Sequence, residues 1–320
     1  MSDLHIGVAG WAYKDWEGIV YPASLKRQQH PVEYLAQYFD LIEINTSFYG
    51  HLKPELVKLW CRKAGAVNRG FLFTAKLHQC FTHSPRAVVE STSAATIRCT
   101  PEDERDAKQG YDALAAEGRL GALLAQFPIS FKNTSENRDW LDTLIAKFHQ
   151  YPLAVEVRHA SWANEGTLRY FAEEGVAFCN IDQPRLGRAI GPSEHVTAPL
   201  AYVRLHGRNY DQWFDRHPSE PKPGSLGTPR PAERPHDRYN YLYTEQELQP
   251  WKGRIEGVAK KAEVTFVVAN NHFEGKAAVN ALQLKSMISG RPVKAPEILV
   301  RHYPELEKIA EPDPSRLPLG

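Results

Sequence analysis

The chain has 320 residues, with 39 lysines and arginines against 38 aspartates and glutamates. That length holds one large α/β barrel or two ordinary domains, and so small a net charge sets up no overall field toward nucleic acid or an anionic membrane. No stretch approaches the ~20 apolar residues of a membrane-spanning helix, and the N-terminal M-S-D-L-H-I-G-V-A-G-W lacks the basic lead and long apolar run of a secretion signal, so a cytoplasmic protein without membrane contact is expected.

Eight short apolar runs punctuate the chain, at 6–11, 41–48, 71–77, 120–127, 153–159, 176–182, 201–207 and 265–271. Helical patterns separate most of them. Pro31–Asp40 and Pro54–Ala64 space their apolar residues by three and four. Thr100-Pro-Glu-Asp103 is an N-cap with proline first and an acid third. Thr134–Gln150 follows, then Ala163–Glu174, which Gly175 stops. Thr244-x-x-Glu247 is a capping box opening a helix to about Ala262, with Pro250 removing one backbone bond early in it. Ala277–Ser289 ends before Gly290, and Gln183–Pro199 shows no helical pattern.

Strand alternating with helix in this way predicts an α/β fold, a single-domain (β/α)8 TIM barrel over residues 1–290. A doubly wound open sheet competes, but G-V-A-G-W at 7–11 is not the Gly-rich phosphate turn of that fold. Long loops after strand three (79–99) and strand seven (210–243, rich in proline) fall on the face where barrel enzymes keep their sites, and loops of that length read as lids or disorder. Residues 291–320 read as a Pro-rich C-terminal tail with a short helix at 305–310. Cys61, Cys80, Cys99 and Cys179 form no C-x-x-C pair and no zinc spacing, and read as reduced thiols.

The stretch P-L-A-V-E-V-R-H-A-S-W at 152–162 organises the chemistry. Val155 and Val157 alternate with Glu156 and Arg158, so one face carries two valines and the other two opposite charges. In a closed barrel the valines meet helices and the charges meet a shared lumen, where each needs a partner or a task. The same parity turns Glu43 and Asn45 inward from strand two, Lys76 and His78 from strand three, and Arg204 and His206 from strand seven. Gln126, Asp182, Asn270 and His272 are expected at the inner ends of strands four, six and eight. Inward charges then balance, Glu43, Glu156 and Asp182 against Lys76, Arg158 and Arg204.

Further motifs stand in order along the chain: G-W-A-Y-x-x-W-E-G-x-x-Y-P at 10–22, I-E-I-N-T-S-F-Y-G at 42–50, F-T-A-K-L at 73–77 with T-H at 82–83, and L-A-Q-F-P at 124–128. V-E-V-R-H-x-S-W at 155–162, Y-V-R-L-H-G-R at 202–208, Y-x-Y-L-Y at 239–243 and A-N-N-H at 269–272 complete the set. With these motifs the chain resembles the YecE-like family, also called domain of unknown function 72, from about residue 5 to 290. The resemblance implies a TIM barrel and, through the barrel, a likeness to endonuclease-IV-type and xylose-isomerase-type enzymes. The segment around Pro218–Pro235 and the tail after Arg291 are longer than that family's pattern.

From the residues, the expected function is an enzyme whose barrel mouth takes an anionic substrate, phosphorylated or nucleotide-like, with phosphoester hydrolysis as the first reaction. Arg158, Arg204 and Lys76 hold the anion, since guanidinium groups match its oxygens bidentately, and Arg208 reaches it from the hinge of the second lid. His206 or His159 acts as general acid and base, while Glu43 and Glu156 orient the cations. Asn45, Asn270 and Asn271 hydrogen-bond the ligand, with Gln126, His78, His272 and Asp182 completing the lining. Trp11, Tyr13 and Tyr49 offer faces for stacking, and Trp16, Phe48 and Trp162 plug the top of the barrel. No cofactor is predicted. Glu156-x-x-His159, with His78, His83, Asp182, His206 or His272, has the donors for a divalent metal, as in a metal-dependent nuclease, but the inward cations oppose one. Glu43 and Glu156 read as too far apart, and too firmly ionised, for a glycosidase pair. The alternative class is a non-catalytic protein that binds a small anion or a nucleic-acid backbone in the same pocket.

Overall fold

The computed structural model describes residues 2–25, 29–83, 99–184, 187–209 and 239–312. Most of both expected lids, residues 84–98 and 210–238, lies outside the described residues. Eight parallel strands close into a barrel in chain order: β1 (Asp3–Ala9), β2 (Leu41–Ile44), β3 (Leu72–Lys76), β4 (Leu120–Gln126), β5 (Leu153–Glu156), β6 (Ala177–Asp182), β7 (Leu200–Leu205) and β8 (Val264–Ala269). β8 pairs back onto β1 from Asp3↔Val264 to Val8↔Ala269, which leaves no open edge.

Helices cover the outside: α1 (Pro31–Leu35), α2 (Pro54–Val67), α3 (Gln79–Thr82), α4 (Pro101–Ala116), α5 (Ser135–Phe148), α6 (Glu165–Glu173), α7 (Glu245–Ala259), α8 (Lys276–Ser289) and α9 (Glu297–His302). Both capping boxes form, Thr100 with Asp103 at α4 and Thr244 with Glu247 at α7, and α7 runs through Pro250. Ile42, Ile44, Val155, Val203 and Leu205 are buried; all five have the strand parity that faces the helices. Their burial, at about 25 cal/mol per Å² of apolar surface, is the main force holding helices to barrel.

The crossover from β6 to β7 departs from the βα rule. Among its described residues there is no helix. An extended segment is strapped along the outside of β6, where Asn180 accepts hydrogen bonds from Ser193 Oγ and the His195 N–H at 2.8 Å each. Thr197 Oγ1 donates to the Val176 carbonyl (2.6 Å) and accepts from the Phe178 N–H (2.8 Å). Polar side chains therefore satisfy the outward face of β6 where a helix would have asked for apolar ones.

The tail expected after residue 290 also differs, because its described part belongs to the barrel's outer layer. A helix forms at Glu297–His302 and only a 3-10 turn at Pro304–Lys308. Leu299 and Leu306 are fully buried, the Tyr303 hydroxyl donates to the Glu274 carbonyl (2.8 Å), and Val293 exchanges backbone bonds with Ile309 and Glu311. Apolar residues spaced by four and three give this short segment one face to bury, which its prolines obscure. Among the described residues, no helix is long and apolar enough to cross a membrane.

Candidate functional site

Strand parity delivers one buried network. Arg204 of β7 stands at its centre, fully buried. Its Nη2 donates to Glu43 Oε1 of β2 at 2.7 Å and its Nη1 to Glu156 Oε2 of β5. Glu156 Oε1 also accepts from Arg158, at 2.7 Å from Nε and 2.6 Å from Nη2, and from His206 Nε2 at 3.2 Å. Gln126 Oε1 lies 3.4 Å from Arg204 Nη1. Below, the Tyr202 hydroxyl donates to Glu43 Oε2 (3.0 Å) and accepts from Thr74 Oγ1 (2.7 Å).

Such a cluster is tolerable only because each charge meets several partners. Burial alone would raise the Glu156 carboxyl, yet Arg204, Arg158 and His206 together hold it well below the usual carboxylate range. Burial opposes the Arg204 charge too, and the two carboxylates outweigh it. Contrary to the expectation that Glu43 and Glu156 lie too far apart, one guanidinium bridges them. Glu156, held that low, cannot be the general acid of a glycosidase pair.

His206 is fully buried, with Nε2–H donating to Glu156 and Nδ1 accepting from Asn270 Nδ2 at 2.9 Å. Burial pushes its imidazole down to about 3, against the pull of Glu156. A neutral ring with both nitrogens engaged positions Glu156. It is poorly placed to exchange protons with a substrate, contrary to the role expected for it.

Lys76 differs from every other lumen charge. Glu43 Oε1, already held by Arg204, is 4.0 Å from Nζ, and the amine lies 5.8 Å from the centre of the Phe48 ring. Burial and the neighbouring Arg204 bring its ammonium down to about 7, although Glu43 and Glu156 pull the other way. His83 sits beside it with its ring against Phe48 at 5.1 Å. Burial, Arg158 and Lys76 bring the His83 imidazole down to about 4, so it is neutral. Across the mouth Tyr13 stacks on His272 at 4.2 Å and bonds the Ala9 carbonyl at 2.7 Å. Asn45 Nδ2 is 3.5 Å from the Tyr13 hydroxyl, and Asn45 Oδ1 is a buried acceptor without a hydrogen-bond donor among the described residues.

Several expected site residues go elsewhere. Asp182 is not in the lumen. Register pairs it with the outward Leu205, while Cys179, of opposite parity on β6, feels Glu156 and Arg204. Asp182 instead accepts from Arg208 Nε at 2.8 Å, with Tyr243 and Trp251 beside it. Arg208 reaches Glu247 as well (3.5 Å) and so clamps the start of α7 to the wall. Asn271 also faces outward, bonding the Tyr241 carbonyl and Asn280 at 2.7 Å each. His159 turns to Ser161, accepting from its backbone N–H at 3.1 Å with Oγ 2.8 Å away, and caps a 3-10 turn. His78 likewise caps α3 and packs on His51, ring centres 4.7 Å apart. Trp11 packs edge-on to Trp60 of α2 at 4.9 Å, and Tyr49 is 74% exposed. Except for Asp182, which lies within β6 and follows its register, local capping or packing outside the strands decides these orientations.

The alternation missed three residues. Tyr202 shares the parity of Arg204 and His206, so extending the inward face two residues back would have found it. His83 stood in a noted motif but lies beyond β3, where parity no longer applies. Phe48, expected as a plug, faces the Lys76 amine.

Comparison with known proteins accords with this architecture. The model of a family described as "Protein of unknown function DUF72" matches residues 5–301. The chain belongs to the DUF72 family. It is similar to the UPF0759 protein YunF of Bacillus subtilis strain 168, 27% identical over 292 residues that make up 89% of this chain and 94% of the relative. A DUF72 structure from Thermotoga maritima MSB8 is 30% identical, with a TM-score of 0.70 over 90% of this chain and 99% of its own. Another, from Enterococcus faecalis V583, superposes with a TM-score of 0.71 at 23% identity, over 89% of this chain and 95% of its own.

In this DUF72 barrel the metal-ligand pattern Glu156-x-x-His159 does not converge, because Glu156 is bound by two arginines and a histidine while His159 serves its own turn. Among the described residues, the donors that do crowd within 4.8 Å of one another are Cys80, Cys99 and Asp103. The Asp103 oxygens there already accept from Thr100 and contact His51. What the lumen offers chemically is one loosely held amine above a rigid ionic floor.

Proposed function

We propose that the protein is an enzyme acting on a small anionic substrate at the C-terminal mouth of its barrel, with Lys76 as the group that carries the proton. The observation behind this reading is a charge count. With Asp182 outside, the described residues place Lys76, Arg158 and Arg204 in the lumen against Glu43 and Glu156, three cations for two carboxylates. The surplus falls on Lys76, the most loosely paired of the three, and burial together with Arg204 brings its amine down to about 7. A phosphate or carboxylate entering beside Lys76 and Arg158 supplies the missing negative charge and lets Lys76 take the proton back. Asn45 Oδ1 awaits a donor on the same ligand, and Tyr13 and His272 offer it a flat wall.

In this reading Lys76 replaces His206 and His159 as the group that moves the proton. In phosphoester hydrolysis the ammonium formed on binding would give its proton to the leaving oxygen as general acid. Titration calorimetry with inorganic phosphate at pH 8, in two buffers of different ionisation enthalpy, tests the binding step. The expected result is uptake of close to one proton in the wild type and none in Lys76→Met. Absence of phosphate binding, or binding indifferent to both Lys76→Met and Arg158→Met, would overturn the reading. Turnover on a phosphoester panel that is lost in Lys76→Arg marks hydrolysis; binding without turnover favours a small-anion sensor.

A further inference from the structure

Among the described residues, Lys76 is the lumen cation without a carboxylate nearer than 4.0 Å. Both oxygens of Glu43 are occupied, by Arg204 Nη2 and the Tyr202 hydroxyl, and both of Glu156, by Arg204, Arg158 and His206. Its amine is nearly but not wholly covered, 11% of the side chain remaining exposed at the end of β3. Around it lie the cations Arg158 and Arg204, the acids Glu43 and Glu156, and the neutral His83. Desolvation beside other cations keeps an amine unprotonated, and an unprotonated amine is a nucleophile toward carbonyl carbon. A lysine needed only to hold a phosphate does better with its charge fixed by a carboxylate in contact.

We propose that Lys76 forms an imine with a small carbonyl compound that also carries an anionic group, the anion lying against Arg158. This rests on the anion-binding reading above and narrows its substrate to an aldehyde or ketone bearing a carboxylate or phosphate. The Nζ lone pair adds to the carbonyl carbon, the carbon–oxygen π pair moves to oxygen, and one amine proton transfers to that oxygen. The resulting carbinolamine loses its hydroxyl as water, with the second amine proton, leaving a C=N bond; the step consumes only amine and carbonyl and needs no oxidant or reductant. When the imine is protonated it restores the third lumen cation, now facing the substrate's own negative charge.

Reductive trapping at pH 7 tests this on the full chain. Glyoxylate is the anionic probe and propanal the neutral one, each with cyanoborohydride, which reduces the imine to a stable secondary amine; labelled lysines are located by peptide mass mapping. Lys76 should be labelled by glyoxylate more than about tenfold faster than surface lysines, whose pKa near ~10.4 leaves them protonated. Inorganic phosphate should slow that labelling, and Arg158→Met should slow it much more for glyoxylate than for propanal. Lys76→Arg has no amine that can add to a carbonyl and should lose the label, and circular dichroism on it checks the fold. If phosphate binds by calorimetry while neither aldehyde labels Lys76, the imine is overturned and the anion reading survives. Equal labelling by both probes, untouched by phosphate, upholds the amine's reactivity and overturns the anionic requirement.

Discussion

Two arginines four residues apart at the end of β7 hold two acids each, on opposite sides of one barrel wall. Arg204 grips Glu43 and Glu156 inside; Arg208 grips Asp182 and Glu247 outside. The inner guanidinium is fully buried and the outer one is 27% exposed. Near-identical composition thus serves two ends. Outside, water shares the load and the cluster staples α7 to the sheet. Inside, with no water to absorb imbalance, a third cation cannot be indifferent to its neighbours, and Lys76 becomes a titrating amine.

Removing each arginine breaks the comparison most severely. Arg204→Met strands two buried carboxylates and should destabilise the protein by about 3–5 kcal/mol, whereas Arg208→Met strands only Asp182, whose carboxyl burial already raises, and should cost less; urea unfolding of both variants at pH 7 measures the gap. Comparable losses would mean that inner and outer clusters do the same job.

Lys76→Met probes the surplus charge. The folded state lowers this amine from 10.5 to about 7, so between those values the unfolded chain binds the extra proton and wild-type stability rises with pH. The variant should therefore exceed the wild type by on the order of 5 kcal/mol below pH 7, an advantage that fades as the pH approaches 10.5. A difference that does not vary with pH would show that Lys76 keeps its proton in the fold.

His206 extends the same logic to acid. Its folded value of about 3 lies below 6.5, so the unfolded chain takes up the proton first, and stability drains away as the pH falls through that interval. The loss from this group approaches about 1.4 kcal/mol per pH unit, and His206→Gln should flatten that part of an acid-unfolding curve. The smallest effect belongs to the floor. Tyr202→Phe removes the hydroxyl that joins Thr74 to Glu43 and should cost about 1–2 kcal/mol, seen as a shifted denaturation midpoint with unchanged phosphate binding.

Strand parity was readable wherever a strand alternates cleanly. I-E-I, V-E-V-R and Y-V-R-L-H led directly to Glu43, Glu156, Arg158, Arg204 and His206, whose inward orientation the contacts reproduce. β6 defeats that logic because its outer face meets a strapped polar segment instead of a helix, so Asn180 and Asp182 point outward and the apparent charge balance fails. Past the strand ends the alternation holds for Arg158 and His206, while capping decides where His159 and His78 turn.

By itself the amino-acid order determined the closed eightfold alternation of strand and helix and the polarity of most inward faces, because both follow from local periodicity and from caps a few residues long. Only the tertiary structure decided which acid each cation meets, that Asp182 stays outside, and that Lys76 is left over. Those outcomes depend on distances between residues far apart in the chain, Arg204 and Glu43 being separated by 161 positions, and no local pattern carries that information.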